Sequence, residues 1–428
     1  MSLKALFEPE SVVLIGSSKI RETGIMVTPE VFRRVETNLR DFKGKVAVVD
    51  IEENNAIPSC DLAIITLPPT KILGLLTSLK TKFAIILSSG FDAEQRKKMT
   101  EFSSFRVLGP NSVCGILNTK NSLNTTFEGE MKSKSGRISV ISQSGGIGAT
   151  ILDYMVSRGV GFSKFAWVGD MADINECDLL EYFMDDRETK VILIYIESMR
   201  EPRRFMEIAS RSNKPIVVLK SGVSEESKER AFTHTDSLST DAEIYSGAFR
   251  QSSIIEVENV RELFNCGLIF ERYKKRSVKA IAIVSNTGGS SILAADMCHK
   301  LGLRLSKLSE TTKNKITAKY PKIKTINPVD MAADADGERY KHVLEAVAKD
   351  ANVDAILIIN QLKSCLLKPE ELEALKRLKT GKVVVDCAPG DDDFRKIRFF
   401  LTDTFPIYSS VDDAVKVLKK VSEFGNLE

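Results

Sequence analysis

Short apolar runs alternate along this chain with longer segments in which apolar and polar positions recur at helical spacing. The runs are nearly all apolar and lack residue-by-residue alternation, which is typical of parallel strands covered on both faces. Ten runs predict strands: Val12–Ile15, Val46–Val49, Leu62–Thr66, Ala84–Leu87, Ile138–Ile141, Val191–Ile196, Ile216–Leu219, Ala280–Val284, Ala355–Ile359 and Val383–Val385. Amphipathic segments such as Glu243–Ser252 and Arg339–Ala348 predict helices between many of them. This alternation predicts right-handed βαβ units and an α/β fold.

Two polar segments interrupt this rhythm, Glu128–Gly136 and Glu271–Ser277, and they suggest three domains, residues 1–127, 137–272 and 278–425. The second and third domains begin with similar sequences, ISVISQSGGIGATILDYMVSRG at 138–159 and IAIVSNTGGSSILAADMCHKLG at 281–302. The two segments keep a constant offset of 143 residues, and both predict a strand, a Ser/Gly-rich turn and a helix. An internal repeat of this kind predicts two domains of one type after a different first domain.

Composition narrows the classes of function. The 428 residues carry a formal net charge of only +3 and contain no dense Lys/Arg run, which argues against a nucleic-acid partner. Seven cysteines without a CxxC pair, beside three histidines, favour neither a disulfide framework nor a metal site, so we expect reduced thiols and a cytoplasmic protein. The first residues do not resemble a signal peptide, and no apolar stretch approaches the roughly 18–20 residues of a membrane helix. We therefore expect no membrane partner.

Three turns containing glycine follow predicted strands and open predicted helices. Such a turn exposes backbone N–H groups at the helix start, where the helix dipole favours an anion. The first, Gly16-Ser17-Ser18, lacks GxGxxG, so a plain turn and a nucleotide site both remain open. The second, Ser142–Gly146, combines two hydroxyls with two glycines and suits a phosphate. The third, Ser285–Gly289, is its copy, and a copied fold keeps its turn geometry with or without the chemistry.

Among the three histidines, His234 has the most informative surroundings. His299 and His342 lie in helical patterns beside lysines and are expected to face solvent. His234 lies in the hydroxyl-rich segment AFTHTDSL, where it is either a loop histidine near a helix N-cap or a nucleophilic imidazole that takes a phosphoryl group reversibly. The second interpretation needs an orienting carboxylate. Glu197 is the candidate, because it ends the strand Val191–Ile196 and ligands bind at the carboxyl ends of such strands; an ordinary strand-end acid is the alternative.

Together these segments resemble the NDP-forming acyl-CoA synthetases, the superfamily that includes succinyl-CoA synthetase. The resemblance covers nearly the whole chain, and its motifs occur in the family's order. They are GPNSVCGILNT at 109–119, SQSGGIG at 142–148, LLEYFMDD at 179–186, KPIVVLKSG at 214–222, AFTHTDSL at 231–238, SNTGG at 285–289 and NPVDM at 327–331.

This resemblance implies a Rossmann-like CoA-binding domain followed by two flavodoxin-like parallel-sheet domains, the first of which carries a phosphohistidine. By the same resemblance, His234 is the phosphorylated histidine and Glu197 is the glutamate that holds it. The loop that receives the phosphohistidine corresponds to Ser142, Gln143, Ser144, Gly145 and Gly146. The positions that contact CoA or line the pocket beside it correspond to Gly16, Ser17, Ser18, Pro68, Ser89 and Asn111.

The implied activity is that of an ADP-forming acid–thiol ligase: acyl-CoA + phosphate + ADP ⇌ acid + CoA + ATP, reversibly, through an acyl phosphate and phospho-His234. The implied ligands are therefore CoA, phosphate and ADP or ATP with Mg²⁺, and the substrate is a small carboxylic acid or its acyl-CoA. The nucleotide half of the family is an ATP-grasp fold, which this sequence does not include. The resemblance thus implies a hetero-oligomer with an ATP-grasp subunit that holds the nucleotide and Mg²⁺.

Several positions depart from the family's pattern. The family usually has HTGSLAG, whereas here His234 is followed by TDSLST, which removes two glycines and places Asp236 near the phosphate carrier. Gly169–Asp173 replaces the commoner GNKAD. Thr23 replaces the basic residue that the family usually has near Gly24, with Lys19 and Arg21 as candidate substitutes. Two alternatives therefore stand beside an active ligase subunit: a non-catalytic CoA-binding paralogue, and a related acyl- or carbamoyl-transfer protein on the same scaffold.

Overall fold

The chain forms two compact units, Met1–Gly267 and Leu268–Glu428. The computed structural model describes residues 2–53, 56–102, 104–129, 133–222, 224, 242–274, 276–362, 367–401 and 404–425. Unit 1 contains two β-sheets and unit 2 contains a third, and their strand pairs are mostly parallel. The predicted α/β class is confirmed, whereas the division into three domains stays a prediction.

The first sheet of unit 1 is parallel throughout. Its strands, in the spatial order β2-β1-β3-β4-β5, are β1 Ser11–Gly16, β2 Lys45–Asp50, β3 Leu62–Ile65, β4 Phe83–Ile86 and β5 Arg106–Leu108. Its helices are α1 Lys4–Phe7, α2 Pro29–Asn38, α3 Pro69–Leu76 and α4 Ala93–Phe102. Alternate residues of β1 enter two different cores, Val12 and Leu14 on one face and Val13 and Ile15 on the other. Burial on both faces explains why this strand is nearly all apolar in sequence.

The second sheet of unit 1 has seven strands in the order β12-β11-β10-β8-β9-β6-β7. They are β6 Ile116–Asn118, β7 Leu123–Asn124, β8 Ser135–Ser142, β9 Phe162–Trp167, β10 Val191–Ile196, β11 Ile216–Lys220 and β12 Ile255–Glu256. The helices are α5 Gly145–Ser157, α6 Glu176–Asp185, α7 Pro202–Ser210, α8 Ala242–Gln251 and α9 Val260–Arg272. Strand β6 runs antiparallel to both β7 and β9. These two short strands therefore extend the second sheet, although their residues fall in the predicted first domain.

Strand β9 escaped prediction because its apolar run is interrupted by Ser163 and Lys164. Both residues are buried, and the Lys164 side chain has no exposed surface. Its ammonium lies 2.7 Å from an Asp186 carboxylate oxygen, which also accepts a hydrogen bond from Thr189 at 2.6 Å. A buried charge is tolerated only when it is paired in this way. An ion pair between residues far apart in sequence thus produces a strand that hydrophobic patterning cannot find.

The sheet of unit 2 is parallel, with the order β14-β13-β16-β17-β18 and β15 paired to β13. Its strands are β13 Ala280–Ser285, β14 Arg304–Leu305, β15 Val329–Asp330, β16 Ala355–Ile359, β17 Val383–Cys387 and β18 Ile407–Tyr408. Its helices are α10 Gly288–Lys300, α11 Glu310–Lys319, α12 Gly337–Ala348, α13 Asp391–Leu401 and α14 Val411–Gly425, with a 3-10 segment at Pro369–Arg377. Within the ranges described, every helix is too short or too polar to cross a membrane.

The internal repeat has the same secondary structure in both copies. Strand β8 ends at Ser142 and α5 covers Gly145–Ser157, whereas β13 ends at Ser285 and α10 covers Gly288–Lys300. In each copy the serine that ends the strand donates its hydroxyl to the carbonyl two residues on, at 2.7 Å in the first copy and 3.0 Å in the second. The equal offset of both elements confirms the shared strand–turn–helix.

The sheet of unit 2 encloses a carboxyl group. Asp386 is fully buried in β17, and one of its oxygens accepts a hydrogen bond of 2.7 Å from Asn360 Nδ2. Asp386 Oδ1 and Asn360 Oδ1 have no hydrogen-bond partner in the described part of the chain. Burial raises the pKa of Asp386 to about 8, although the Asn360 hydrogen bond acts in the opposite direction. Burial therefore favours the protonated, neutral form of Asp386.

Asp386→Asn should flatten the pH dependence of stability. The pKa of Asp386 is higher in the folded protein than in the unfolded chain. Its contribution to the free energy of unfolding is therefore complete below its pKa in the unfolded chain and is lost as pH rises towards about 8. Relative to the variant, the free energy of unfolding of the native chain should fall by at most about 1.4 kcal/mol per pH unit across that window. Calorimetric unfolding of both chains from pH 5 to pH 9 measures the difference. Parallel profiles for the two chains would contradict the prediction.

Candidate functional site

The Ser142–Gly146 turn connects β8 to α5 and leaves backbone donors at the helix start. Ser144 is the N-cap, and its hydroxyl accepts a hydrogen bond from the Ile147 amide at 3.4 Å. The Gly145 and Gly146 amides have no hydrogen-bond partner among the residues described. A Cβ added at Gly146 would meet no atom within 4 Å, so this side of the helix start is open. Two free N–H groups at an open helix N-terminus form a site for an anion.

The Gln143 side chain clamps this turn to the end of β10. Gln143 is 8% exposed, and its amide oxygen accepts hydrogen bonds from the backbone N–H groups of Glu197 at 2.8 Å and Ser198 at 3.0 Å. Its amide nitrogen donates to Ser198 Oγ at 3.1 Å. A buried N–H without an acceptor costs about 1–3 kcal/mol, so these bonds hold the two turns together. They place Glu197 beside the start of α5.

The copied turn in unit 2 repeats the clamp. Asn286, which occupies the position of Gln143, accepts a hydrogen bond from the Gln361 amide and donates one to the Gln361 carbonyl, both at 2.9 Å. Gln361 follows β16, the strand beside β13, as Glu197 follows β10 beside β8. The clamp is therefore part of the shared geometry of the two turns.

The predicted CoA positions follow four neighbouring strands of the first sheet. Gly16 ends β1, and Pro68, Ser89 and Asn111 come shortly after the ends of β3, β4 and β5. Because these strands are parallel and adjacent, their carboxyl ends meet at one edge of the sheet. The structure thus brings the four turns to the same edge, as the sequence predicts for one ligand.

The Gly16-Ser17-Ser18 turn offers fewer free donors than its sequence suggests. The Ser18 amide donates to Asp50 Oδ2 at 3.1 Å. Ser17 Oγ accepts hydrogen bonds from the amides of Lys19 at 3.1 Å and Ile20 at 3.0 Å. Burial alone would raise the pKa of Asp50, but hydrogen bonds from Ser18 and the Glu52 amide outweigh it and lower the pKa. The amides of Ser18, Lys19 and Ile20 are therefore already satisfied by the protein.

A cleft of about 550 Å³ in unit 1 lies where the two sets of turns meet. Predicted residues from both sheets line it: Ser89, Asn111, Gln143, Ser144, Gly145, Gly146 and Glu197. The rest of the lining is Met26, Gly90, Phe91, Arg96, Val113, Gly169, Asp170 and Arg200. Ser142, Gly16, Ser17, Ser18, Lys19 and Pro68 do not line this cleft.

Three charged residues that line the cleft have no role predicted from the sequence: Asp170, Arg96 and Arg200. Asp170 lies in the segment that replaces the family's GNKAD, and its carboxylate accepts a hydrogen bond from Asn111 Nδ2 at 3.1 Å. The Arg96 guanidinium lies 3.6 Å from the same carboxylate, and Arg200 donates to the Asp170 carbonyl at 2.6 Å. The altered segment thus anchors two arginines at the cleft. Arg96 lies on a polar helix whose pattern gives no sign of this position.

The histidine assigned to phosphate transfer, His234, lies outside the described residues, as does Asp236. No group of three His, Cys, Asp or Glu side chains that could hold a metal ion occurs in the part of the chain that is described. The roles of His234, of Glu197 and of the phosphate and CoA positions therefore stay predictions.

Comparison with known proteins gives consistent similarities. Residues 135–270 match the succinyl-CoA ligase-like flavodoxin domain. The chain is 33% identical to the alpha subunit of the ADP-forming acetate–CoA ligase II of Pyrococcus furiosus, over 90% of this chain and 89% of that one. Its structure is similar to an acetyl-coenzyme A synthetase 1 of Ca. Korarchaeum cryptofilum solved in complex with phosphate and ADP, with a TM-score of 0.88 and 27% identity over 100% of this chain and 97% of that one.

A third relative shows how the chain compares with longer proteins. This chain is 35% identical to the ADP-forming acetate–CoA ligase of Methanocaldococcus jannaschii over 78% of its own length, but the match spans only 50% of that protein. The chain therefore spans almost all of the alpha subunit from P. furiosus and about half of the ligase from M. jannaschii.

Replacing Gln143 by Met should separate the two clamped turns. The variant leaves the buried amides of Glu197 and Ser198 without an acceptor, so the free energy of unfolding should fall by about 2–4 kcal/mol. Ser139→Ala, in the preceding strand β8, removes one side-chain hydrogen bond to Thr189 and should cost about 1 kcal/mol. Urea unfolding of the three chains measures both changes. Equal losses in the two variants would rule out a special role for the clamp.

Proposed function

Because this chain belongs to the family of ADP-forming acetate–CoA ligase alpha subunits, we propose that it is the CoA-binding, phosphohistidine-carrying subunit of an ADP-forming acyl-CoA synthetase. The reaction is acyl-CoA + phosphate + ADP ⇌ acid + CoA + ATP. The chain supplies the site of thioester cleavage and carries the phosphoryl group on His234. A second subunit binds the nucleotide.

One observation supports this proposal most strongly. The cleft of about 550 Å³ is lined at once by Ser89 and Asn111, by the open helix start at Gly145 and Gly146, and by Glu197. Thioester cleavage by phosphate requires an acyl-CoA and an anion side by side, and transfer to histidine requires a carboxylate at the same place. The lining residues meet all three requirements.

The chemistry divides into three balanced steps. A phosphate oxygen attacks the thioester carbonyl, the C–S bond breaks, and the phosphate proton goes to the leaving CoA sulfur. An imidazole nitrogen of His234 then attacks the phosphorus of the acyl phosphate, which releases the carboxylate of the acid. Finally a terminal oxygen of ADP takes the phosphoryl group from His234, which regenerates the imidazole and forms ATP. Each step exchanges bonds of comparable energy, so the sequence of steps is reversible.

The residues of the cleft have distinct tasks in these steps. The free amides of Gly145 and Gly146 bind the phosphate oxygens, whose negative charge the α5 dipole also stabilises. Glu197 accepts a hydrogen bond from one imidazole nitrogen of His234, so that the other nitrogen carries the lone pair for attack. Its placement by the Gln143 clamp supports this role.

An ATP-grasp subunit completes the enzyme in this proposal. It binds ADP or ATP together with Mg²⁺, which neutralises the charge of the phosphates during transfer. The length of the M. jannaschii ligase supports this division, because the part matched by this chain is only 50% of it. The hetero-oligomer acts on a small carboxylic acid and its acyl-CoA.

Phosphorylation of His234 tests the proposal directly. The chain is mixed with a purified ATP-grasp subunit, Mg²⁺ and ATP labelled on the γ-phosphate. The native chain should acquire label that is labile in acid and stable in alkali, and addition of a carboxylic acid with CoA should discharge it. His234→Ala should remain unlabelled, because no other residue replaces the nucleophile.

A control separates catalysis from ligand binding. Calorimetric titration with CoA should give the same affinity for His234→Ala and the native chain. Binding of CoA without any labelling, with a partner that labels a known alpha subunit, would instead identify a non-catalytic CoA-binding paralogue, for which Asp236 and the missing glycines would give the reason.

A side chain at Gly146 should block phosphate without disturbing the fold. Gly146→Val projects into open space at the helix start, so stability should change by less than about 1 kcal/mol. Phosphorylation of His234 from acyl-CoA and phosphate should fall by roughly 100-fold, because the methyl groups occupy the place of the anion. Gly74→Val in α3 is the matched control, since a Cβ there also meets nothing within 4 Å. Normal phosphorylation of Gly146→Val would exclude the helix start as the phosphate site.

A further inference from the structure

Glu197 is held through each of its polar groups by a different strand of the second sheet. Its backbone N–H is bound by Gln143, just after β8. Its carboxylate accepts a hydrogen bond of 3.2 Å from the hydroxyl of Tyr195, two residues earlier on β10. Its carbonyl oxygen accepts a hydrogen bond of 2.7 Å from Lys220 Nζ, at the end of β11. A strand-end acid with an ordinary surface role has no need of three such contacts.

Lys220 is the least expected of the three partners. It is only 6% exposed, and its ammonium donates to the Glu197 and Ser221 carbonyls and lies 4.9 Å from the centre of the Tyr245 ring. Burial lowers the pKa of Lys220 to about 8, although the nearby Glu197 acts in the opposite direction. Burying an ammonium costs free energy even when it is well bonded. The free-energy cost of burying the Lys220 ammonium beside Glu197 suggests that this lysine has a role at the site.

The contacts of Lys220 close a ring of hydrogen bonds around Glu197. Lys220 joins the carbonyls of Glu197 and Ser221. The Tyr195 hydroxyl joins the Glu197 carboxylate to Ser221 Oγ, which lies 2.9 Å from it. The carbonyl and the carboxylate of Glu197 are thus both linked to Ser221, the first through Lys220 and the second through Tyr195. Movement of the carboxylate requires that one of these bonds break.

We propose that Lys220 is a positioning residue for phosphoryl transfer: by binding the Glu197 carbonyl and the adjoining turn, it holds the Glu197 carboxylate where the imidazole of His234 meets it. This role rests on the proposed function, since it has no meaning without a phosphorylated His234. Lys220 touches neither substrate nor phosphate in it. Its effect is on the rate of transfer, because a displacement of about 1 Å in an orienting group can cost up to 100-fold.

Lys214 provides a matched control within the same strand. It precedes β11, whereas Lys220 ends it, so the two lysines lie at opposite edges of the sheet. Lys214 also donates two hydrogen bonds to backbone carbonyls, at 2.8 and 2.6 Å, and burial likewise lowers its pKa. Lys214 is half-buried, whereas Lys220 is buried. If lysines that bind backbone carbonyls serve only the stability of this sheet, removing either should have similar effects.

The test compares Lys220→Met with Lys214→Met in the complex with the ATP-grasp subunit. Single-turnover labelling from γ-labelled ATP gives the rate of phosphorylation at saturation and the KM for ATP. Lys220→Met should lower the saturating rate roughly tenfold or more with KM for ATP unchanged, whereas Lys214→Met should keep the native rate. Tyr195→Phe, which removes one hydroxyl from the ring of bonds, gives a milder loss of the same kind and serves if Lys220→Met does not fold.

Each outcome decides the proposal. A selective loss of rate in Lys220→Met or Tyr195→Phe supports it, provided that CoA affinity by calorimetry stays native. Native rates in both, or equal losses in Lys220→Met and Lys214→Met, would overturn it while leaving phospho-His234 intact. Absence of label in the native chain as well would overturn the proposed function and this role together.

Discussion

The functional cleft depends on one buried amide, the side chain of Gln143. Parallel strands end in turns whose backbone N–H groups have no partner in the sheet, and at the end of β10 two of these are bound by Gln143 Oε1. Without that acceptor the buried amides of Glu197 and Ser198 would be unsatisfied, and the turn would have to open to water. The clamp therefore sets the distance between the helix start of α5 and Glu197. In the proposed function, the Gln143 side chain thus links the phosphate site to the turn that carries the orienting carboxylate.

Comparison of the two copies of the repeat distinguishes the residues that the fold requires from those that the proposed chemistry requires. Asn286 makes the equivalent clamp in unit 2, so an amide at this position is a condition of the strand–turn–helix geometry. The residues that follow the neighbouring strand differ, however. After β10 comes Glu197, with its carboxylate at the cleft, whereas after β16 comes Asn360, which is buried and bonded to Asp386. The turn in unit 2 thus keeps the geometry of the turn in unit 1, but the residues beside it differ. This is expected if only packing maintains the turn in unit 2.

The sequence predicts most of the regular structure, because strands buried on both faces are almost purely apolar. All ten predicted runs lie in strands of the sheets. It misses eight of the described strands, seven of which have only two or three residues; the eighth is β9, whose Lys164 is made tolerable only by Asp186. It also misses Arg96 and Arg200 in the cleft. These residues owe their positions to contacts between segments distant in sequence, which no local pattern contains. Glu197 was found because it follows a strand, and the carboxyl edge of a parallel sheet gathers such residues. Ser89 and Asn111 were found through the resemblance to the acyl-CoA synthetases.

The turns of the two sheets of unit 1 differ in the backbone donors that they leave free, and this difference supports the proposed division of ligands between them. At the end of β1 the amides of Ser18, Lys19 and Ile20 are bound by Asp50 and Ser17, and hydrogen bonds from Ser18 and the Glu52 amide lower the pKa of Asp50. An anion approaching this turn would meet a negative charge and few donors. At the start of α5 the amides of Gly145 and Gly146 are free and open, with a helix dipole behind them. In the proposed function, phosphate therefore binds at the second sheet, and the first sheet recognises CoA through side chains and shape at Ser89 and Asn111.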